Sequence, residues 1–336
     1  MKIGRIKEFD LIRLVACFLI VFMHSPMPTI PENGIYVSAF SFFAAPSIGL
    51  FFMISGALLL PVNSSFAPFI KNRFIKIAIP LLFWSLIYLC LNLYTSSSEN
   101  NIWQKILSLP FTPQGHGILW FIYTLLGLYL LSPILSAWIK IATKREIEFI
   151  LLLWVISLCY PLIEGYIMVN ESPTGILYYF SGYAGYFLLG YYLRQFKNNW
   201  LPGVALAIGV GGVCLILYLN LNGIEYDFYR LFWYLSIFVV AWCIVYWYII
   251  KSIGQFISKP ASMQWLIKAS SLTFGIYLVH ILIMREWLWK SALILEINNY
   301  LLQTLTIAVC SFLLSLIACY CISKVPYLRL TIGLKK

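Results

Sequence analysis

An arginine and a histidine stand eleven residues apart in a stretch that is otherwise almost wholly apolar. The stretch is FDLIRLVACFLIVFMH, residues 9–24, with Arg13 and His24 inside it and Asp10 at its start. A membrane-spanning helix excludes charge at a cost of roughly 2.5–3.5 kcal/mol for a central Arg on insertion scales, so these residues call for a reason. Eleven steps of about 100° end about 20° past three full turns, which sets both side chains on one helix face about 16 Å apart. A histidine, with an ordinary pKa of about 6.5, can take or give a proton near neutrality. An arginine can grip an anionic group such as a phosphate. The structural alternatives for Arg13 are a side chain that snorkels back to the headgroups and one that pairs with Asp10 three residues earlier.

Other residues could join that chemistry. His116 stands in GHGILWF and His280 in LTFGIYLVHILIM. Lys71, Arg73 and Lys76 cluster in PFIKNRFIKIAIP. Such a cluster serves topology, and it also suits the phosphates of a nucleotide-bearing donor. Ser55 and Gly56 form a small pair in FFMISGALLL, which permits close approach of a helix or ligand. As a nucleophile Ser55 has no neighbouring base in the sequence. There is no Walker loop, dinucleotide fingerprint, zinc-ligand spacing or nucleophile elbow. The eight cysteines fall in apolar segments without metal-ligand spacing and read as small apolar residues. No metal is expected.

The elements that must position these residues follow from composition. Of 336 residues 62% are hydrophobic and 10% charged, against about 25% charged in soluble domains. The expected fold is an all-α polytopic membrane protein, a single integral-membrane domain over residues 1–336. Apolar runs near the length of a bilayer crossing give about ten spans: 9–27, 40–60, 77–94, 118–139, 148–168, 176–193, 201–221, 228–250, 270–289 and 300–321. The basic start followed by a long apolar run reads as a retained first span. Between 95 and 117 a short interfacial helix is expected, anchored by Trp103.

The net charge of +11 is distributed for orientation rather than for binding nucleic acid. Eighteen of the 23 Lys and Arg fall at one set of span ends. They are Lys2, Arg5 and Lys7; Lys71, Arg73 and Lys76; Lys140, Lys144 and Arg145; Arg194 and Lys197; Lys251, Lys259 and Lys268; and Lys324, Arg329, Lys335 and Lys336. By the positive-inside rule this face, with both termini, is expected to be cytoplasmic. Arg13 then lies near the cytoplasm and the three histidines in the outer half of the membrane.

Five blocks carry a family resemblance. They are FDLIRLVACFLIVFMH, IGLFFMISGALLL, NRFIKIAIPLLFW, ILWFIYTLLGLYLLSPIL and SLTFGIYLVHILIM. In this order, over residues 9–284, they resemble the membrane-bound acyltransferase 3 family. Arg13 and His24 match that family's signature of Arg or Lys, ten residues and His. The resemblance implies transfer of an acyl group, usually acetyl, from cytoplasmic acyl-coenzyme A to a hydroxyl of a cell-envelope carbohydrate, glycolipid or related acceptor. It implies a multi-pass protein of the bacterial inner membrane, in contact with membrane lipids. It makes Arg13 and His24 the functional pair, with Arg73 in the donor-side segment beside Lys76 and Lys71. Many members carry an added extracytoplasmic esterase-like domain, and this chain is expected to be the stand-alone, O-acetyltransferase form.

The 16 Å separation implies two stations along an extended donor rather than a contact dyad. Coenzyme A phosphates would dock near Arg13, Arg73 and Lys76, and the thioester would reach His24, acting as general base in a direct transfer. An acyl-His24 intermediate is the variant. The competing function is a polysaccharide or lipid-linked glycan transporter or flippase. That class shares the spans and the buried charge, but not the ordered blocks.

Overall fold

The structure is a computed structural model. It describes residues 6–28, 35–95, 101–113, 117–163, 166, 173–257 and 260–334. Helices and turns make up these residues, and no β-strand occurs among them. In chain order the α-helices are α1 (Lys7–Met23), α2 (Ile35–Ala44), α3 (Pro46–Leu59), α4 (Phe66–Thr95) and α5 (Ile102–Ser108). They continue with α6 (Trp120–Ile139), α7 (Lys144–Ser157), α8 (Tyr160–Ile163), α9 (Ala184–Gln195) and α10 (Leu201–Leu221). The last are α11 (Phe228–Leu231), α12 (Ile237–Gln255), α13 (Pro260–Ile283), α14 (Ala292–Leu295) and α15 (Tyr300–Lys324). A π-helical turn, Met284–Leu288, prolongs α13.

Among the described residues, seven helical segments are long and apolar enough to cross a bilayer. They are Ser38–Leu59, which runs through α2 and α3, then Phe66–Tyr94, Trp120–Ile139, Leu201–Leu221, Ile237–Gln255, Met263–Leu288 and Tyr300–Lys324. Three expected spans are shorter helices, each for a local reason. α1 is 17 residues long and stops before Pro26, because a proline disfavours helix at the residue before it. α7 stops at Ser157, four residues ahead of Pro161. α9 begins only after Gly182, whose φ of +88° belongs to glycine's permitted region. Every residue of α9 from Gly185 to Leu193 is buried, so its surroundings are protein rather than lipid. The expected span 228–250 starts late, at Ile237, where the Ser236 side chain accepts from the Phe238 N–H. The short helix expected between 95 and 117 is α5, with Trp103 exposed.

α1 is the central element. It packs against α3, α12, α13 and α15, and ten of its residues are buried. α3 in turn packs most extensively on α9. Small residues allow that contact: a Cβ on Gly56 would run into the Phe187 carbonyl, and a Cβ on Gly190 into the Met53 carbonyl. Each glycine thus lets its own helix touch the backbone of the other. Arg194, at the end of α9, donates to the Ala57 carbonyl beside this contact. α7 is held in register by a capping box, in which Thr143 and Glu146 satisfy each other's backbone N–H groups.

Two prolines lie inside long helices and bear on the site. Pro133 removes the donor that would serve the Tyr129 carbonyl, and Ser132 Oγ supplies one instead at 2.7 Å. Pro80 in α4 does the same to the Lys76 carbonyl. The C-terminal 3-10 turn Leu328–Ile332 packs against α4, where Trp84 Nε1 donates to the Thr331 carbonyl at 2.9 Å.

The close contact is testable. Gly56→Ala or Gly190→Ala must push α3 and α9 apart and should cost roughly 1–3 kcal/mol or more, as overpacking does. Gly211→Ala in α10, whose Cβ would meet nothing within 4 Å, should be neutral or slightly stabilising. Thermal unfolding of the three variants in detergent measures the difference.

Candidate active site

At one end of α1 a cavity of about 220 Å³ opens between α1, α3, α4, α6 and α13. Its cationic residues are Arg13, Arg73 and Lys76, and its polar rim includes Ser55, Ser270, Ser271 and Thr273. Its apolar wall is formed by Phe51, Phe121, Leu125, Phe274 and Tyr277, among others. Arg73 and Lys76 also line a second hollow of about 250 Å³ with Ser64, Phe69 and Asn72. The two hollows thus meet at a pair of cations. That is a suitable joint for a ligand with an anionic head and a long, less polar arm, because guanidinium and ammonium groups favour phosphate oxygens.

Each cation is held by its own element. On α1, Arg13 Nη1 lies 3.6 Å from Asp10 Oδ1. Asp10 is only 2% exposed, and the same oxygen accepts from Ser270 Oγ of α13 at 2.8 Å. The snorkelling alternative for Arg13 therefore gives way to the pairing one, and the Arg13 side chain, 34% exposed, turns to the cavity. Arg73 sits with its guanidinium carbon 5.7 Å from the centre of the Tyr129 ring, in cation–π range. Three residues on, Lys76 shares the face of α4 with Arg73, as helical periodicity requires. Gly333 closes the wall: its φ is +76°, and a Cβ there would stand 3.1 Å from the Lys76 carbonyl oxygen.

His24 caps the far end of α1 and is half-buried. Eleven residues of helix place it about 16 Å along the axis from Arg13. Its ring centre lies 5.5 Å from that of His280, tilted by 39°. His280 in turn lies 5.9 Å from the Tyr277 ring, and Tyr277 lines the cavity. Tyr277 and His280 are thus one helical turn apart on α13, and a chain of ring contacts runs through them from the cavity wall to His24.

Of the residues singled out in the sequence, Arg13, Ser55, Arg73 and Lys76 come together on one cavity, with Asp10 behind Arg13. Lys71 is exposed and lines neither hollow. His24 and His280 form a separate pair. His116 lies outside the described residues. Tyr129, Ser270, Thr273 and Tyr277 were not anticipated. For Tyr277 a signal existed, since it stands three residues before His280 and must share its helix face. The eight cysteines are free thiols. Among the described residues no group of three or more His, Cys, Asp or Glu could hold a metal ion.

Comparison with known proteins gives the family. The family model described as the acyltransferase domain, of the acyltransferase 3 type, matches residues 6–324. The chain belongs to that family, and it is a helical membrane acyltransferase. No curated protein and no solved structure matches it.

Asp10 offers a direct check on how the site is held. Asp10→Ala leaves the Ser270 hydroxyl without its acceptor and Arg13 without its carboxylate. It should lower stability by about 1–3 kcal/mol, read by thermal unfolding. Ser270→Ala, which removes only a neutral donor, should cost less.

Proposed function

We propose that the protein transfers an acetyl group from acetyl-coenzyme A, bound from the cytoplasm, to a hydroxyl group of a cell-envelope carbohydrate or glycolipid. The observation that carries this reading is the convergence of Arg13, Arg73 and Lys76 on one cavity in a chain of this family. Transport alone would not need that joint of cations together with a histidine pair further along α1.

The donor's phosphates sit at the joint between the two hollows, against Arg73 and Lys76, with Arg13 on the inner side. The pantetheine arm runs along the face of α1 past Tyr277. Its thioester arrives near His24, which is reached from the opposite side by the acceptor. His24 takes the proton of the acceptor hydroxyl as the oxygen attacks the thioester carbonyl carbon. The carbon–sulfur bond then breaks, and the proton passes from His24 to the departing thiolate. The products are an acetyl ester and free coenzyme A. Ser55, in the cavity with Arg13 rather than beside a histidine, lines the donor path and is not the nucleophile.

The same reading sets the protein across the bacterial inner membrane as a single domain of about ten spans, with both termini and the basic face cytoplasmic. α1 and α9 are then short elements enclosed largely by protein, whereas α7 leaves Phe149, Leu152 and Ile156 exposed.

The test uses purified protein in detergent or liposomes, labelled acetyl-coenzyme A and envelope glycans from cells lacking the gene. Label should move to the glycan, and His24→Ala should lower the rate by roughly 10²–10⁴-fold, the usual worth of a positioned base. Full activity of His24→Ala would overturn the assignment. Label bound to the enzyme from donor alone would replace direct transfer with an acyl-His24 intermediate.

A further inference from the structure

His280 carries a group that the transfer has not yet used. Its side chain is fully buried, at 0% exposure. Nδ1 lies 2.7 Å from the Tyr277 carbonyl oxygen and 3.2 Å from that of Ile276. A carbonyl oxygen can only accept, so Nδ1 carries the proton and Nε2 presents a lone pair. Nε2 is buried and has no hydrogen-bond partner. Native proteins rarely leave such an atom unsatisfied, and the centre of the His24 ring lies 5.5 Å from that of His280. The backbone at His280 is tied to α15 as well: Ser311 Oγ donates to the His280 carbonyl at 3.2 Å, and the π-helical turn begins four residues on.

We propose that His280 is a positioning residue for His24, a neutral imidazole locked in one tautomer whose Nε2 accepts the N–H of His24 and aims its other nitrogen at the acceptor hydroxyl. This rests on His24 being the base. Complete burial keeps His280 off both substrates, so it acts only through His24. The hydrogen bond forms when the acceptor binds, since catalytic hydrogen bonds are often long in the free enzyme. When His24 takes the hydroxyl proton, its second N–H stays with His280. The developing imidazolium is thereby held in place by a neutral acceptor, in the role a carboxylate plays in a serine-type triad.

The experiment compares His280→Gln, His280→Asn and His280→Leu with His24→Ala and the His24→Ala/His280→Leu double variant, in labelled acetyl transfer and in acetyl-coenzyme A binding. Gln can set an amide oxygen near the place of Nε2, whereas Asn reaches only as far as Nδ1. His280→Leu should lower kcat by about tenfold or more, in the direction seen when a triad histidine loses its orienting group. KM for acetyl-coenzyme A should stay within about twofold. His280→Gln should recover most of the loss and His280→Asn should not. The double variant should be no slower than His24→Ala, because residues that act as a unit are not additive. Should His280→Leu fail to fold, the contrast between Gln and Asn decides. Wild-type kcat in His280→Leu or His280→Asn, or equal losses in Gln and Asn, would overturn the proposal. An inactive His24→Ala beside an unaffected His280→Leu removes only this inference, whereas an active His24→Ala removes the base itself.

Discussion

A carboxylate buried among apolar helices governs how this bundle is assembled. Asp10 is 2% exposed, and an ionised carboxylate in such surroundings is costly unless it is paired and hydrogen-bonded. Its partners are Arg13 on its own helix and Ser270 on α13. The first bond is local, but the second fixes the rotation of α1 against α13. Once that rotation is set, helical geometry decides the rest. Arg13 must face the cavity, and His24, eleven residues on, must end near the same face, toward α13 and His280. Packing reinforces this choice, because α1 is also enclosed by α3, α12 and α15.

The cavity depends on elements that bring their residues from far apart in the chain. α4 presents Arg73 and Lys76, while Pro80 frees the Lys76 carbonyl near which Gly333 of the C-terminal turn packs. α6 presents Tyr129 under Arg73, at the turn where Pro133 interrupts the helical hydrogen bonds and Ser132 repairs them. α3 is drawn against α9 by the Gly56 and Gly190 contacts, which sets Ser55 and Phe51 at the wall. Interrupted or tightly packed helices thus surround the site, while more continuous ones such as α10 and α15 present more of their surface outward.

Much of this was legible in the sequence, and the rest was not for definite reasons. The apolar runs gave the helices, because a bilayer leaves few other ways to satisfy the backbone. The i to i+3 spacing gave the Asp10–Arg13 pair. The basic segment of α4 stood out by its charge, and its Arg73 and Lys76 do line the cavity. Span lengths were harder: Pro26, Pro161 and Gly182 cut three apolar runs short, and a hydropathy window does not see whether a helix such as α9 is surrounded by protein or lipid. The meeting of His24 with His280, and of Tyr129 with Arg73, comes from tertiary packing between distant segments. No local pattern encodes it.

In the proposed mechanism labour is divided along α1, with donor binding at Arg13 and proton transfer at His24. Acetyl-coenzyme A affinity, measured side by side for Arg13→Ala and His24→Ala in detergent, tests it most directly. Arg13→Ala is expected to bind at least about tenfold more weakly, since hydrogen bonds to charged groups are worth about 1.5–3 kcal/mol. His24→Ala is expected to bind as the unaltered protein does. Equal weakening in both variants, or undiminished binding by Arg13→Ala, would contradict the two-station arrangement.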